Sequence, residues 1–569
     1  MSIQKPFSIK QAAKLLGVHE DTLRNWEEEG LIKPIRLGKR GDRKYTQDLI
    51  NEIVEKGLAR PLTELNASVE SKLKDEKITL NDLKAFLWKS ADILRGKVDA
   101  SDYKTYIFGL LFYKRISDVW DEEYRAIIDQ YHDEELARAD YNHRFQLPKD
   151  CRWSELQKEA VNIGKKLNDV FDKITAANSP KLDTIFNNLN FANRDVFPNE
   201  TLQRLVNHFS RYNFGNTYIN SDILGDAYEY LIKQFASTAG KKGGEFFTPR
   251  EIERVIVEIL KPTAKSHVHD FCAGSGGFLL EAYHYVREHN GEKDARKIYL
   301  SGQEVILGTF AIAKINMFLH GLDSADIRRG DTIADPKFLN QNGQLETFSH
   351  VVTNFPYSIK EWEWDAFVHD KYGRTAGYDL PPKKNADYAF ILHAIKVLNS
   401  HGKAGIVVPH GVLFKSDTSG KIRSQIIKND FIEAVIAMPA KLFFGVGIPV
   451  AFLIINKQKP AERKNKILFI DAEKDYQEGK NQNTLRNQDI EKIVSAFDGF
   501  KDVEKYAHVA DMKEIEENDF NLSVRRYVDS SEEEEVIDVV AVKKELTSLE
   551  KERAEIDKKV EGFLKELKY

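Results

Sequence analysis

The chain has 569 residues, too many for a single hydrophobic core, so roughly three or four domains are expected. Its 42% hydrophobic and 30% charged content is that of a soluble globular protein. There is no apolar run of about eighteen residues and no apolar core after Met1-Ser2-Ile3-Gln4-Lys5, so neither a membrane span nor a secretory signal is expected. A net charge of −5 excludes a uniformly basic nucleic-acid binder. The two cysteines, Cys151 and Cys272, form no C-x-x-C pair, which excludes a disulfide framework or cysteine-rich zinc site and fits a reducing cytoplasm.

Residues 1–58 read as a separate module. Ser8 to Val18 predicts a capped helix ending at Gly17, and His19 to Trp26 begins a second helix after a short turn. Gly30-Leu31-Ile32-Lys33-Pro34 then leads to Arg36, Lys39, Arg40, Arg43, Lys44 and Tyr45, with five bases from Arg36 to Lys44 against Asp42. This pattern resembles the helix-turn-helix and wing of the mercury-resistance-regulator (MerR) family. The resemblance implies a second helix in the DNA major groove, carrying Thr22 and Arg24, and wing cations Arg40, Arg43 and Lys44 on phosphates. Glu27-Glu28-Glu29 makes that helix acidic, so a protein-docking winged helix stays open as the other reading.

Residues 59–79 are polar and charged and read as a linker. From 80 to 235 the pattern is helical, with an apolar ladder of Ile107, Leu110, Leu111 and Ile116, and its aromatic residues are expected in a core rather than against nucleic-acid bases.

The region 236–528 carries the chemistry. Strands are expected at 267–272, 297–304, 326–330, 350–353, 404–409, 432–438 and 448–455, alternating with helices, which predicts a doubly wound α/β sheet. The apolar run Ile448 to Ile455 predicts a strand buried on both faces. After the first strand comes Asp270-Phe271-Cys272-Ala273-Gly274-Ser275-Gly276-Gly277, where Gly274 and Gly276 permit a tight turn and close backbone approach to a ligand. Leu279 stands where a dinucleotide fingerprint wants a third glycine, which favours a smaller ligand such as S-adenosylmethionine. About eighty residues on, Asn354-Phe355-Pro356-Tyr357 ends the strand 350–353. Asn354 offers one acceptor and two donors, Pro356 stiffens the turn, and Tyr357 offers a flat face to a base drawn out of a duplex. These parts suit holding the exocyclic amino group of a nucleobase in line with an electrophile. No G-x-x-x-x-G-K-[ST] loop is present, so ATP-driven translocation is not expected, and His267 and His269 read as ordinary strand residues rather than metal ligands.

Further blocks accompany these loops: Leu87 to Gly96 followed by Tyr103 to Asp118, Gly243 to Arg250, Gly302-Gln303-Glu304, Gly330-Asp331, and Asn518 to Ser523 with Arg526-Tyr527-Val528. In this order, over roughly residues 80–530, the chain resembles the modification (M) subunit of type I restriction–modification systems, which are N6-adenine DNA methyltransferases. The resemblance implies S-adenosylmethionine as cofactor. Its site would comprise Glu245, Phe246, Phe247, Thr248 and Pro249, then Asp270, Cys272, Gly274, Ser275, Gly276 and Gly277, with Glu304 on the ribose hydroxyls and Asp331 on the adenine amino group. Structurally, Gly330-Asp331 also reads as a strand-ending turn. Asn354 and the carbonyl of Phe355 would accept from the amino group of a flipped adenine, Pro356 and Tyr357 completing the catalytic four. No metal is implied. Phe271 and Phe355 depart from the family pattern, which commonly has proline at both. An N4-cytosine methyltransferase would use the same geometry, a protein or RNA amine methyltransferase is a further enzyme reading, and a DNA-binding regulator with an inactive methyltransferase fold is the reading from another class. Intact Asn354, Pro356, Tyr357 and glycines weigh against the last.

Residues 529–569 carry thirteen acids against eight bases. Apolar residues at 539, 542, 546, 549, 556, 560, 563 and 567, interrupted by Arg553, predict a helix with a coiled-coil-like seam for subunit assembly. A helix folded back on its own domain is the alternative. The partners implied by the resemblance are double-stranded DNA, a specificity (S) subunit that chooses the target sequence and a second M subunit, and whether a restriction (R) subunit joins them is left open. No membrane partner is expected.

Overall fold

Alternating apolar and polar positions in the first fifty residues build a small core of Ala12, Leu16, Leu23, Ile32, Tyr45 and Ile53. Around it a computed structural model places β1 (Phe7–Ser8), α1 (Ile9–Leu16), α2 (Glu20–Glu28), β2 (Ile35–Leu37) and β3 (Asp42–Tyr45). The strands form an antiparallel sheet in the order β1-β3-β2. The structure describes residues 6–16, 18, 20–37, 42–46, 49–50, 52–53, 78–95, 103–159, 161–239, 247–443, 447, 449–530 and 539–567. Gly17, Arg40, Glu245 and Phe246, and most of the expected linker, lie outside the described residues.

The helical region contains α3 (Leu80–Leu94), α4 (Tyr103–Tyr131), α5 (Ile163–Ala177), α6 (Asn199–Phe209) and α7 (Ser221–Ala239). Thr79 caps α3, accepting from the Asp82 N–H at 3.3 Å. The ladder Ile107, Leu110, Leu111 and Ile116 is buried on α4, and Phe112, Phe171 and Phe186 pack in the same core, as the sequence predicts. Helix α7 packs into this core and runs past residue 235, where the sequence reading ends the helical region.

The catalytic region is a nine-stranded sheet of β4 (His267–Asp270), β5 (Tyr299–Glu304), β6 (Asp326–Arg329), β7 (Phe348–Asn354), β8 (Leu398–Pro409), β9 (Ile432–Ala437), β10 (Val450–Asn456), β11 (Lys466–Asp471) and β12 (Ala507–Asp511). Their spatial order is β12-β11-β9-β10-β8-β7-β4-β5-β6. Five pairings are parallel: β5–β6, β4–β5, β4–β7, β7–β8 and β9–β11. One face packs under α8 (Arg250–Leu260), α9 (Gly277–Asn290), α10 (Leu307–Leu319) and, farther along, α13 (Asn487–Gly499); α11 (Asp387–Val397) and α12 (Thr418–Lys428) cover the other. The sheet is therefore doubly wound, as expected.

Two corrections concern the strands. The sequence reading omits β11 and β12. Strand β11 is a short apolar run bounded by Lys466 and Asp471, and β12 is a short edge strand with only Ala507 and Ala510 buried, so neither carries a strong pattern. Strand β10 is buried along all its residues as predicted, but it runs antiparallel to both β8 and β9. Its apolar run reports burial on two faces and says nothing about direction.

Helix α10 joins the two regions. Ile312, Ile315, Phe318 and Leu319 enter the helical core, while Arg144 donates to Asp323 at 2.7 Å and to the Phe318 carbonyl at 2.7 Å. At the other end, α14 (Val539–Glu566) carries its apolar stripe in the open: Leu546 is 56%, Ile556 54% and Phe563 64% exposed. The stripe is as predicted, and the folded-back alternative is not what the structure shows. No helix among the described residues is long and apolar enough to cross a membrane.

Candidate active site

The strand order reverses at β4, which lies between β5 and β7. In an open α/β sheet this switch point leaves a crevice at the carboxyl ends of the strands. Parallel pairing of Val268 with His350 and of His269 with Val351 sets the ends of β4 and β7 side by side. Asp270 ends one strand and Asn354 the other, so the glycine loop and the tetrapeptide recognised in the sequence meet in one crevice.

The loop after β4 is tied down by its own polar groups. Asp270 Oδ1 accepts from the Cys272 N–H at 3.0 Å, and the Ala273 N–H donates to the Gln303 carbonyl at 2.9 Å. Gly274 and Gly276 have φ of 54° and 83°, in the left-handed region that a side chain disfavours. Gly276 precedes the first residue of α9, so the loop delivers the helix N-terminus to the crevice. Glu304, at the end of β5, accepts from the Gly274 N–H at 3.0 Å through Oε2 and from the Ile306 N–H at 2.8 Å through Oε1. Asp331 Oδ1 accepts from Ile333 and Ala334 N–H groups at 2.7 and 3.0 Å, so it does end a turn after β6. Burial raises both the Glu304 carboxyl and the Cys272 thiol above their ordinary values. Ser275 is buried, its carbonyl accepting from Asn316 Nδ2 at 3.0 Å.

At the end of β7, Asn354 Nδ2 donates to Thr248 Oγ1 at 3.0 Å, and the Tyr357 hydroxyl donates to Asn354 Oδ1. Phe355 is buried and stacks on Phe390 of α11, with ring centroids 5.1 Å apart and planes 14° apart. Phe271 stacks on the same Phe390 at 6.3 Å and 2°. The two departures from the family pattern are thus partners: one ring from each loop, joined through a third. Beyond Tyr357 the backbone turns at Ser358 with φ 56°, and Asp387 Oδ1 accepts the Ser358 N–H at 2.7 Å.

Phe247, Thr248, Asp270, Gly274, Gly277 and Asn354 surround a cavity of 20 Å³. A larger cavity of 360 Å³, toward the helical region, shares Phe247, Glu253, Ser275 and Gly277 with it. Here Arg250 Nε donates to Glu281 at 3.1 Å, and its Nη1 lies 4.0 Å from Asp226. Asp226, Glu229 and His320 bring three atoms of metal-ligating type within 4.8 Å of one another, a grouping from α7 and α10 that no sequence spacing discloses. Burial raises Glu229 to about 7 and lowers His320 to about 4. His269 is a core residue, stacked on Phe348 at 4.0 Å.

Sequence reasoning missed Phe390, Asp387, Asn316 and Thr332, whose hydroxyl donates to the Phe271 carbonyl. Each supports a loop distant in sequence, and the one local hint is that Asp387 opens a helix. In the N-terminal module, Thr22 and Arg24 lie on α2, with Arg24 paired to Asp21 and Glu20. Arg36 donates to Glu27 at 2.6 Å, Arg43 donates to the same carboxylate, and Lys44 lies on β3 beside Arg43. The acidic helix flagged in the sequence therefore engages the wing.

Burial pushes Asp270 from its ordinary value up to about 7, offset in part by the Cys272 N–H. A carboxyl so raised holds its proton more tightly in the folded state, so its contribution is present at low pH and lost as pH rises through about 7. Asp270→Asn keeps the acceptor without the charge. Its thermal midpoint, relative to the unsubstituted protein, should rise between pH 5 and pH 8; a constant difference across that range would show that the group does not titrate there.

Residues 219–536 match the N-6 DNA Methylase family model, residues 83–209 the HsdM N-terminal domain, and residues 7–54 the MerR HTH family regulatory proteins. The chain is 33% identical over 551 residues to the Type I restriction enzyme MjaVIII methylase subunit of Methanocaldococcus jannaschii, covering 91% of this chain and 92% of that one. It is 29% identical over 539 residues to the MpnII methylase subunit of Mycoplasma pneumoniae, covering 86% and 96%. The crystal structure of a type I restriction-modification system methyltransferase subunit from Streptococcus thermophilus matches with a TM-score of 0.70 at 32% identity, over 80% of this chain and 100% of that one. A glycine loop and an Asn-Phe-Pro-Tyr turn meeting at the switch point, in a chain so matched along most of its length, place it among the N6-adenine DNA methyltransferases: the chain belongs to the family of type I restriction–modification methylase (M) subunits.

Proposed function

We propose that the crevice between β4 and β7 binds S-adenosylmethionine and a flipped adenine, and that Asn354-Phe355-Pro356-Tyr357 holds the adenine amino group for methylation. The observation that carries this reading is the adjacency of the two strand ends, with the Asn354 side chain facing the cavity that the glycine loop lines. When bound, the cofactor supplies a methyl group activated on a sulfonium. The residues present fit it. A carboxylate has about four acceptor positions, so Glu304 retains two for ribose hydroxyls after taking the Gly274 and Ile306 N–H groups. Asp331 Oδ2 serves the adenine amino group of the cofactor, since Oδ1 caps the turn. Phe247 and Pro249 border the methionine end.

Asn354 Oδ1 and the Phe355 carbonyl accept the two amino N–H groups of the target, which aims the nitrogen lone pair at the methyl group. The bound cofactor would supply the methyl group, and the methylated amine would be acidic enough to give its proton to water, so no residue of the site is needed as a strong base. The protein contributes position and polarisation, an effect of up to about 7–11 kcal/mol where alignment is ideal. Tyr357 offers its ring face to the flipped base. A specificity subunit chooses the sequence, two M subunits flank it through the stripe of α14, and the N-terminal module adds contacts to duplex DNA.

Asn354→Ala should reduce methyl transfer to unmethylated DNA by at least about 100-fold with cofactor affinity nearly intact. Gly274→Val should abolish cofactor binding, because a β-branched residue resists φ of 54°. Calorimetry in which Asn354→Ala loses the cofactor as badly as Gly274→Val would overturn the assignment. For α14, Leu546→Glu with Ile556→Glu should prevent assembly with the specificity subunit, and so should truncation after Val528. Light scattering that finds the full assembly for both variants would leave the stripe without this role. In the module, Glu27→Gln removes the negative charge that pairs with Arg36 and Arg43 and should tighten duplex binding while steepening its salt dependence. Unchanged affinity at every salt concentration would favour protein docking.

A further inference from the structure

An asparagine amide can face a site with either its oxygen or its nitrogen, and the two ends have nearly the same shape. Only the oxygen accepts from an amino group; the NH₂ end would oppose it donor to donor. Catalysis by Asn354 therefore needs something that fixes which end points at the target. Asn354 Nδ2 donates to Thr248 Oγ1 at 3.0 Å, and the hydroxyl of Tyr357 donates to Asn354 Oδ1. These two contacts hold opposite ends of one amide.

Their anchors differ. Thr248 immediately precedes Pro249, which caps α8, so its backbone is confined to extended conformations. Its β-branched side chain is stiff at χ1. The Thr248 hydroxyl is thus a fixed acceptor, carried by the turn into α8 and not by β7. Tyr357 lies in the tetrapeptide itself, on a long side chain whose hydroxyl can withdraw by rotation about χ1. We infer that Thr248 is the positioning residue that turns the carbonyl oxygen of Asn354 toward the target amine, and that the Tyr357 hydroxyl occupies that oxygen until the adenine amino group replaces it. This rests on the assignment of Asn354 to the target base.

On this account the two contacts orient the amide before the base arrives. The incoming amino group exchanges one donor for another at Oδ1, and Nδ2 keeps its partner throughout. Thr248→Val keeps the shape of the side chain and deletes the acceptor. Thr248→Ser keeps the acceptor. The experiment compares both with the unsubstituted protein and Asn354→Ala in the complex assembled with its specificity subunit. It measures kcat and KM for unmethylated chromosomal DNA with labelled S-adenosylmethionine, and cofactor affinity by calorimetry. Thr248→Val should lower kcat about 10- to 100-fold with cofactor affinity within about threefold, and Thr248→Ser should recover most of the loss. A Thr248→Val protein with unchanged kcat overturns the inference, as does one in which the deficit is weakened cofactor binding and kcat recovers at saturating cofactor. Failure of Thr248→Ser to recover kcat overturns it too. An active Asn354→Ala protein would instead remove the assignment on which the inference stands.

Discussion

The pairing of β4 with β7 is the constraint on which the site depends. The two strands share no loop, and about eighty residues separate them, yet two backbone pairs, Val268 with His350 and His269 with Val351, set their ends in register. A one-residue slip would turn every side chain on one strand to the opposite face. Asn354 would then leave the crevice, and buried Val351 and Val352 would exchange the two cores of the sheet. The stack Phe271–Phe390–Phe355 secures the same juxtaposition just past the strands, where backbone pairing has ended. A proline at 271 or 355 would stiffen its own loop but offer no aromatic ring to Phe390. In this chain the two loops are coupled to each other through aromatic packing, worth about 0.5–1.5 kcal/mol per pair beyond the area buried.

Much of this was legible because chain order and spatial order agree locally. The glycine loop follows its strand directly, the tetrapeptide does the same, and an apolar run followed by a turn motif is readable without knowing any partner. Seven strands, the helical region and the two-helix start of the N-terminal module were found on that basis. What the sequence could not disclose is contact at a distance. Asp387 holds the Ser358 turn from 29 positions away, and Asn316 reaches the Ser275 carbonyl from 41. Neither leaves a periodicity or a spacing. The antiparallel course of β10 was hidden for a related reason, since burial shapes composition while direction is set by the connections on either side.

The same distinction separates Thr248 from its neighbours. As part of a block that precedes the glycine loop, it reads as a cofactor residue. In the fold, the turn into α8 presents its hydroxyl to Asn354, the residue proposed to hold the target amine. The block places Thr248 beside the glycine loop, and the hydrogen bond ties it to the tetrapeptide as well.

The size of the crevice carries a last consequence. A cavity of 20 Å³ holds about one water, whereas pockets for cofactor-sized molecules are about 300 Å³ or more. The 360 Å³ cavity beside it has the required scale, and the side chains common to both include Phe247. Phe247 also packs against the core of the helical region. The lining of the crevice and the packing of the helical core therefore meet at this one side chain.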